Sequence, residues 1–256
     1  MFDAHLHPEA LSDQDLESMA FFGVKCALAV AHHAPQERKV KHVFEHFEDL
    51  LGRQLPRLER AGIRAWAALG VHPLSAPARG LPEILTALPD YLRGGKVVAV
   101  GEVGLHRGGE AEEEAMREQL ELAERLRLPV LVHSPHHAKE RLTRRMLNLI
   151  LEAKNTPSRV LVDHASARTV QPILACGFWA GLTVHPEELG AERAVALVRK
   201  YGTERVVLNS DSGDGAGDIL GLPRAVRLLE KASLSKAVIA RVAEQNARKF
   251  LRLPND

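Results

Sequence analysis

Five short apolar runs in this chain each finish in a residue type that binds metal ions. DAHLH carries His5 and His7, KVVAVGEVGL carries Glu102, PVLVH ends in His133, VLVDH in His164, and VVLNSD in Asp211. A run of small and β-branched apolar residues reads as a strand buried on both faces, the kind found in parallel sheets. An ionised carboxylate at the end of such a strand is costly unless something positive lies beside it. Strands that finish alike in imidazoles and carboxylates therefore point to one shared cation.

The rest of the chain alternates between two periods. Phe2, Ala4 and Leu6 alternate with Asp3, His5 and His7, a strand period that puts both histidines on one face. Ser12 to Phe22 opens with Ser-x-x-Asp, resembling a capping box, and reads as the first helix, stopped by Gly23. VKCALAVA from Val24 is a second strand, ending at His32 and His33. From Pro35 to Gly62, Val40, Val43, Phe44, Phe47, Leu50 and Leu51 recur at helical spacing, and Pro56 is expected to kink or split that helix. Ile63 to Val71 is a third strand leading into His72, and LPEILTALPDYLRGG is a short helix ending at Gly94 and Gly95. The strand with Glu102 follows, then EAEEEAMREQLELAERLRL, a helix whose early acids and late arginines suit its macrodipole. Further strands are expected at Pro129–His133, Arg159–His164, Phe178–Val184 and Arg205–Ser210. Helices are expected at Arg141–Ala153, Thr169–Cys176, Ala191–Tyr201, Leu222–Lys231 and Ser235–Leu251.

Eight strand-helix units without a linker or composition break, in 256 residues, predict a single α/β domain over 1–256, a (β/α)8 TIM barrel. An open doubly wound sheet is the competing architecture, but it would leave the first and last strands far apart, whereas barrel closure makes them neighbours. In a barrel all strands open their carboxyl ends onto one face, so His5, His7, Glu102, His133, His164 and Asp211 are expected to converge there. Four imidazoles and two carboxylates are more than a tetrahedral single-ion site uses, which predicts a pair of divalent ions bridged by Glu102. Such a pair lowers the pKa of a shared water and polarises a phosphoryl or carbonyl oxygen, the chemistry of a hydrolase. Asp211, arriving beside the first-strand histidines, is the candidate to ligate one ion and to orient or deprotonate the water, with Glu102 as the other catalytic carboxylate. An imidazole-rich shell suits zinc first, then manganese or nickel, and an all-oxygen magnesium site least.

Other residues receive lesser roles. His72, at the end of the third strand, is the candidate substrate contact. His32, His33, His106, His136 and His185 lie near predicted strand ends and could line the pocket. His42 and His46 are one helical turn apart and read as surface and packing residues far from the mouth. Glu110 to Glu114 and Arg141, Arg144 and Arg145 read as solvated helix faces, and Gly213, Gly215 and Gly217 as a flexible loop. Cys26 and Cys176 make no metal spacing and read as small buried thiols.

A formal charge of +1 and an aromatic content of 4% argue against a dedicated nucleic-acid binder, so nucleic acid enters only as a substrate. The expected partner is that phosphodiester or a small molecule. With no signal-like start and no apolar run near the ~20 residues that span a bilayer, a soluble cytoplasmic protein without a membrane partner is expected.

DAHLH, GEVGL, PVLVHS, the later strand-end His164, NSDSG and the closing NARKFL, in this order, resemble the TatD-type metal-dependent hydrolases of the amidohydrolase superfamily. The likeness runs from end to end of the chain. It implies a (β/α)8 barrel, divalent-metal-dependent hydrolysis, and a metal site at His5, His7, Glu102, His133, His164 and Asp211. Members of the family include deoxyribonucleases acting on phosphodiesters; hydrolysis of a small amide, ester or lactone, and a non-catalytic metal-holding barrel, are the alternatives. Departures fall in the pocket walls: His106 replaces the usual aspartate, Ala165-Ser166-Ala167-Arg168 replaces Cys-Phe-Ser-Gly, and Asp211-Ser212-Gly213 replaces Asp-Ser-Pro. GLTVHPEEL followed by YGTERVVLNSD looks more like the TatD-related branch than the nuclease branch.

Overall fold

Eight parallel strands pair in sequence order, each with the next, in a computed structural model that describes residues 1–32, 39–75 and 80–254. They are β1 Phe2–Leu6, β2 Cys26–Val30, β3 Arg64–Leu69, β4 Val97–Gly104, β5 Val130–His133, β6 Val160–Val162, β7 Trp179–Thr183 and β8 Val206–Asn209. The seam between β1 and β8 is made by the residues around the expected ligands. Leu6 bridges Ser212, the His7 N–H donates to the Ser212 carbonyl at 2.8 Å, and the Asp211 N–H donates to the His5 carbonyl at 3.0 Å. The result is the expected TIM barrel in a nearly closed form, one domain spanning the chain, with the first and last strands side by side.

The helices are α1 Asp13–Phe21, α2 Val40–Asp49, α3 Leu55–Arg60, α4 Leu81–Leu92, α5 Glu110–Leu126, α6 Lys139–Glu152, α7 Val170–Ala175, α8 Ala191–Tyr201, α9 Gly221–Lys231, α10 Lys236–Ala240 and α11 Asn246–Leu251. Ser12 caps α1 as its sequence requires: its hydroxyl accepts from the Asp15 N–H, and the Asp15 carboxylate accepts from the Ser12 N–H. Pro56 splits the long second helix. It has no N–H to give the turn before it, and a π turn over Leu50–Gln54 takes up the mismatch between α2 and α3. Pro35 lies outside the described residues. Among those described, no helix is long and apolar enough to cross a membrane.

Alternate strand residues divide between two cores. One takes residues from every strand, among them Phe2, Leu28, Ala68, Ala99, Leu131, Leu161 and Val207, and from the helices only Ala247, Phe250 and Leu251 of α11. This is the barrel interior, plugged by α11 at the end where the strands start. NARKFL is that plug: Asn246 Nδ2 donates to the Thr203 and Val206 carbonyls at 2.6 and 2.7 Å, and the Arg248 guanidinium lies over the Phe2 ring. The second core packs the other strand face against the surrounding helices. Leu6 belongs to this outer core while Phe2 and Ala4 point inward, so the simple alternation expected for β1 breaks; a register shift between Asp3 and Leu6 separates them. Cys26 is buried, whereas Cys176 is half-buried, and neither forms a disulfide with the described residues.

Candidate metal centre

Every one of the six expected side chains comes to the carboxyl-end mouth of the barrel. His5 and His7 stand at the end of β1, Glu102 near the end of β4, His133 at the end of β5, and His164 and Asp211 just beyond β6 and β8. All but His133 are buried, although four are histidines and two are acids. Glu102 lies between two groups of imidazoles. Its Oε2 is 3.5 Å from His5 Nε2 and 3.9 Å from His7 Nε2, while its Oε1 is 3.1 Å from His133 Nδ1 and 3.4 Å from His164 Nε2. Asp211 closes the first group, with Oδ1 3.1 Å from His7 Nε2 and 3.5 Å from His5 Nε2.

The surrounding hydrogen bonds decide which nitrogen of each ring faces inward. His5 Nδ1 is 2.7 Å from Asp163 Oδ2, and His7 Nδ1 is 3.1 Å from the Val30 carbonyl. Both partners only accept, so both Nδ1 atoms carry protons and the neutral rings present Nε2 lone pairs inward. Those two Nε2 atoms are 3.2 Å apart. Two lone pairs at that distance repel unless a cation or a proton lies between them. His164 follows the same logic: its Nδ1 donates to the Thr183 hydroxyl at 3.0 Å, which donates to Asp163 Oδ1 at 3.2 Å, leaving Nε2 toward Glu102.

Charge in the centre is out of balance in the same sense. Burial works against the imidazolium of His5, yet Glu102 and Asp211 together hold its pKa well above the ordinary value. Burial likewise opposes His164, but Glu102 and then Asp211 push it up to about 9. Both carboxylates are held low despite burial, Glu102 chiefly by His5 and Asp211 by His5 and His7. When His7 Nε2 carries no proton, the buried Asp211 Oδ1, 3.1 Å from it, has no donor among the described residues. Four overlapping donor groups of suitable spacing result among the described residues: His5 with His7 and Asp211, His5 with Glu102 and His164, His7 with His32 and Glu102, and His72 with Glu102 and His133. This donor set fits divalent cations: nitrogen lone pairs and carboxylate oxygens meet at a point where a positive charge is lacking.

Asp163 organises the site, although strand-end reasoning did not single it out. It accepts from His5, from Asn209 Nδ2 at 2.8 and 3.0 Å, from Thr183 and from the His164 N–H at 2.9 Å. Space for it comes from β7, where a Cβ at Gly181 would run into Asp163 Oδ1. The signal lay in VLVDH, a buried acid directly before a ligand-type histidine.

The remaining histidines distribute unevenly. His72 is buried at the mouth, 4.8 Å from His133 between ring centroids, with Nδ1 accepting from the Leu74 N–H at 3.1 Å. The His32 ring lies 4.2 Å from that of His7 at a 43° tilt, and burial, then repulsion from a protonated His7, lowers its pKa to about 3. His46 is not remote from the mouth: its Nε2 accepts from the His32 N–H at 3.0 Å, so α2 reaches over the barrel end. His185 does not line the pocket as a reactive group; it accepts from the Glu187 N–H and donates to the Asp214 carbonyl, joining two loops. His106 pairs edge-on with His137, His136 faces Glu188, and His33 lies outside the described residues.

Two further expectations need correction, one about a helix face and one about a loop. The acidic run of α5 is not merely solvated, because Glu112 accepts the N–H groups of His106, Arg107 and Gly108 and Glu113 pairs with Arg145. The glycine loop after β8 is fitted to the site: Gly213 has φ 101°, and a Cβ there would strike the His7 carbonyl.

The TatD-related DNase family matches residues 2–252 of the chain. An uncharacterized metal-dependent hydrolase of Methanocaldococcus jannaschii is 33% identical over 255 residues, covering 99% of this chain and 100% of its own length. The crystal structure of a TatD-like protein from Archaeoglobus fulgidus superposes with a TM-score of 0.83 at 31% identity, over 99% of this chain and 100% of that one. A TatD homologue from Escherichia coli shares the fold at a TM-score of 0.71 and 21% identity, over 99% and 98%. The chain belongs to the TatD-related DNase family, and is a metal-dependent hydrolase of the TatD type.

Proposed function

We propose that this chain hydrolyses phosphoester bonds, with a nucleic-acid phosphodiester or a small phosphoester as substrate, at a centre that holds two divalent ions. The observation that carries the proposal is the division of Glu102, one oxygen toward His5 and His7 and the other toward His133 and His164. His5, His7 and Asp211 would hold one ion, His133 and His164 the other, and Glu102 both, with zinc the first choice for so many imidazoles. When bound, such ions acidify a water and stabilise negative charge on the attacked group, and their surplus positive charge over Glu102 and Asp211 suits an anionic phosphoester.

The protein groups supply the remaining steps. The buried Asp211 carboxylate would also orient the attacking water and take its proton. His72, whose Nδ1 is occupied as an acceptor, carries its proton on Nε2 when neutral and would donate it to a substrate oxygen. Asp163 and the Val30 carbonyl keep His5 and His7 aimed through both steps.

The test is turnover of metal-loaded protein on bis(p-nitrophenyl) phosphate, p-nitrophenyl acetate and a simple lactone, with and without chelator. Chelator-sensitive cleavage of the phosphodiester above the other two supports the proposal. Preference for the ester or lactone would replace it with carbonyl hydrolysis, and no turnover on any would favour a metal-holding binding module.

A further inference from the structure

Lys139, the first residue of α6, has a side chain only 12% exposed, and Glu188, in the loop between β7 and α8, one only 7% exposed. Lys139 Nζ donates to Glu188 Oε2 at 2.6 Å and to the backbone carbonyl of His164 at 2.8 Å. The other Glu188 oxygen faces His136 Nδ1 at 3.2 Å. Segments following β5, β6 and β7 thus meet at one ion pair. For stability alone a buried ion pair is a poor choice, since apolar residues of the same shape do as well or better. What an apolar pair could not do is hold the His164 carbonyl.

That carbonyl belongs to a residue in an unfavourable conformation. His164 has φ 53°, the left-handed region that a residue with a Cβ avoids. Its backbone is gripped on both sides: the N–H donates to Asp163 Oδ1 at 2.9 Å, and the carbonyl accepts from Lys139 and from the Ser134 hydroxyl at 3.2 Å. In this conformation Nε2 points at Glu102 Oε1, 3.4 Å away.

We propose that Lys139 and Glu188 are positioning residues of the metal centre, acting through the His164 backbone to keep its imidazole on the His133 side of Glu102. The proposal rests on the two-ion reading of that centre. Neither residue touches the reacting atoms. Lys139 is held in place by Glu188, and Glu188 also cancels a positive charge that would otherwise face the ions.

Position and charge make opposite predictions for Lys139→Met. If Lys139 acted by its charge, removing it would tighten cation binding; if it acts by position, binding weakens. The charge-balanced Lys139→Met/Glu188→Gln variant isolates position. Chelator-stripped proteins are titrated with zinc against a competing chromophoric chelator, and circular dichroism verifies folding. Wild type is expected to take two ions, and both variants to lose about 10- to 100-fold in affinity for one ion while keeping the other. Should Lys139→Met fail to fold, Glu188→Gln alone, which retains the lysine-to-carbonyl bond, is expected to show a smaller loss at the same ion. Wild-type affinity for both ions in the variants, or tighter binding in Lys139→Met, overturns the positioning role. A wild-type chain that takes fewer than two ions overturns the two-ion reading itself, and the proposal with it.

Discussion

Asp163 Oδ2 lies 2.7 Å from His5 Nδ1, across 158 residues of sequence, in a space that exists because residue 181 is glycine. The contact fixes the His5 tautomer and raises the basicity of the nitrogen that faces Glu102 and Asp211. Asp163→Asn keeps the shape and removes the charge, so metal affinity or turnover is expected to fall about 10- to 100-fold with the fold retained. Gly181→Ala displaces the same carboxylate from β7 and is expected to act in the same direction. Metal titration of both variants checks this; wild-type affinity in both would leave Asp163 without a role at the centre.

Glu102→Gln and Asp211→Asn address the two carboxylates directly. Each is nearly isosteric, and each is expected to lower turnover by about 100-fold or more while leaving the far-ultraviolet circular dichroism unchanged. Hydrolysis at the wild-type rate in both variants would remove them from the mechanism.

Much of this centre was legible in sequence because barrel strands share one open end, so residues at the ends of apolar runs are brought together whatever their separation. His5, His7, Glu102, His133, His164 and Asp211 are of this kind. Asp163 is one residue from His164 yet serves His5, and that pairing depends on the missing side chain of Gly181, which no periodicity reveals. His46 lies nearer the mouth than its sequence predicts for a related reason: helical period tells which face a residue occupies, not what that face meets, and here it meets His32. Leu6 faces the outer core rather than the face that strand alternation predicts, because a register shift interrupts β1. Pro56 did split its helix, through a π turn rather than a loop.

The opposite end of the barrel is expected to carry stability without touching the chemistry. Phe250 is 1% exposed in the interior core, and Phe250→Ala should cost about 3–5 kcal/mol. Urea unfolding gives the loss, and zinc stoichiometry of the folded fraction should be unchanged. A selective loss of metal with little loss of stability would contradict the separation of the two ends.

Glu124 gives a pH-dependent clamp away from the centre. Burial raises its pKa, but the Thr156 N–H and hydroxyl and the Arg159 guanidinium outweigh it and hold the carboxyl below its ordinary 4.5. A depressed folded pKa contributes stability above the unfolded value, and that contribution is lost as pH falls through the folded one. Glu124→Gln is therefore expected to destabilise by about 1 kcal/mol at neutral pH and progressively less as the pH falls below 4.5. Melting curves of both proteins across that range check it; a constant difference would exclude the charged form as the cause.

Anomalous diffraction from crystals grown with zinc addresses the site most directly. Two peaks are expected, one on each side of the Glu102 carboxylate, the first within ligand distance of His5, His7 and Asp211 and the second of His133 and His164. A single peak, or peaks that leave Glu102 unligated, would contradict a centre built around that residue.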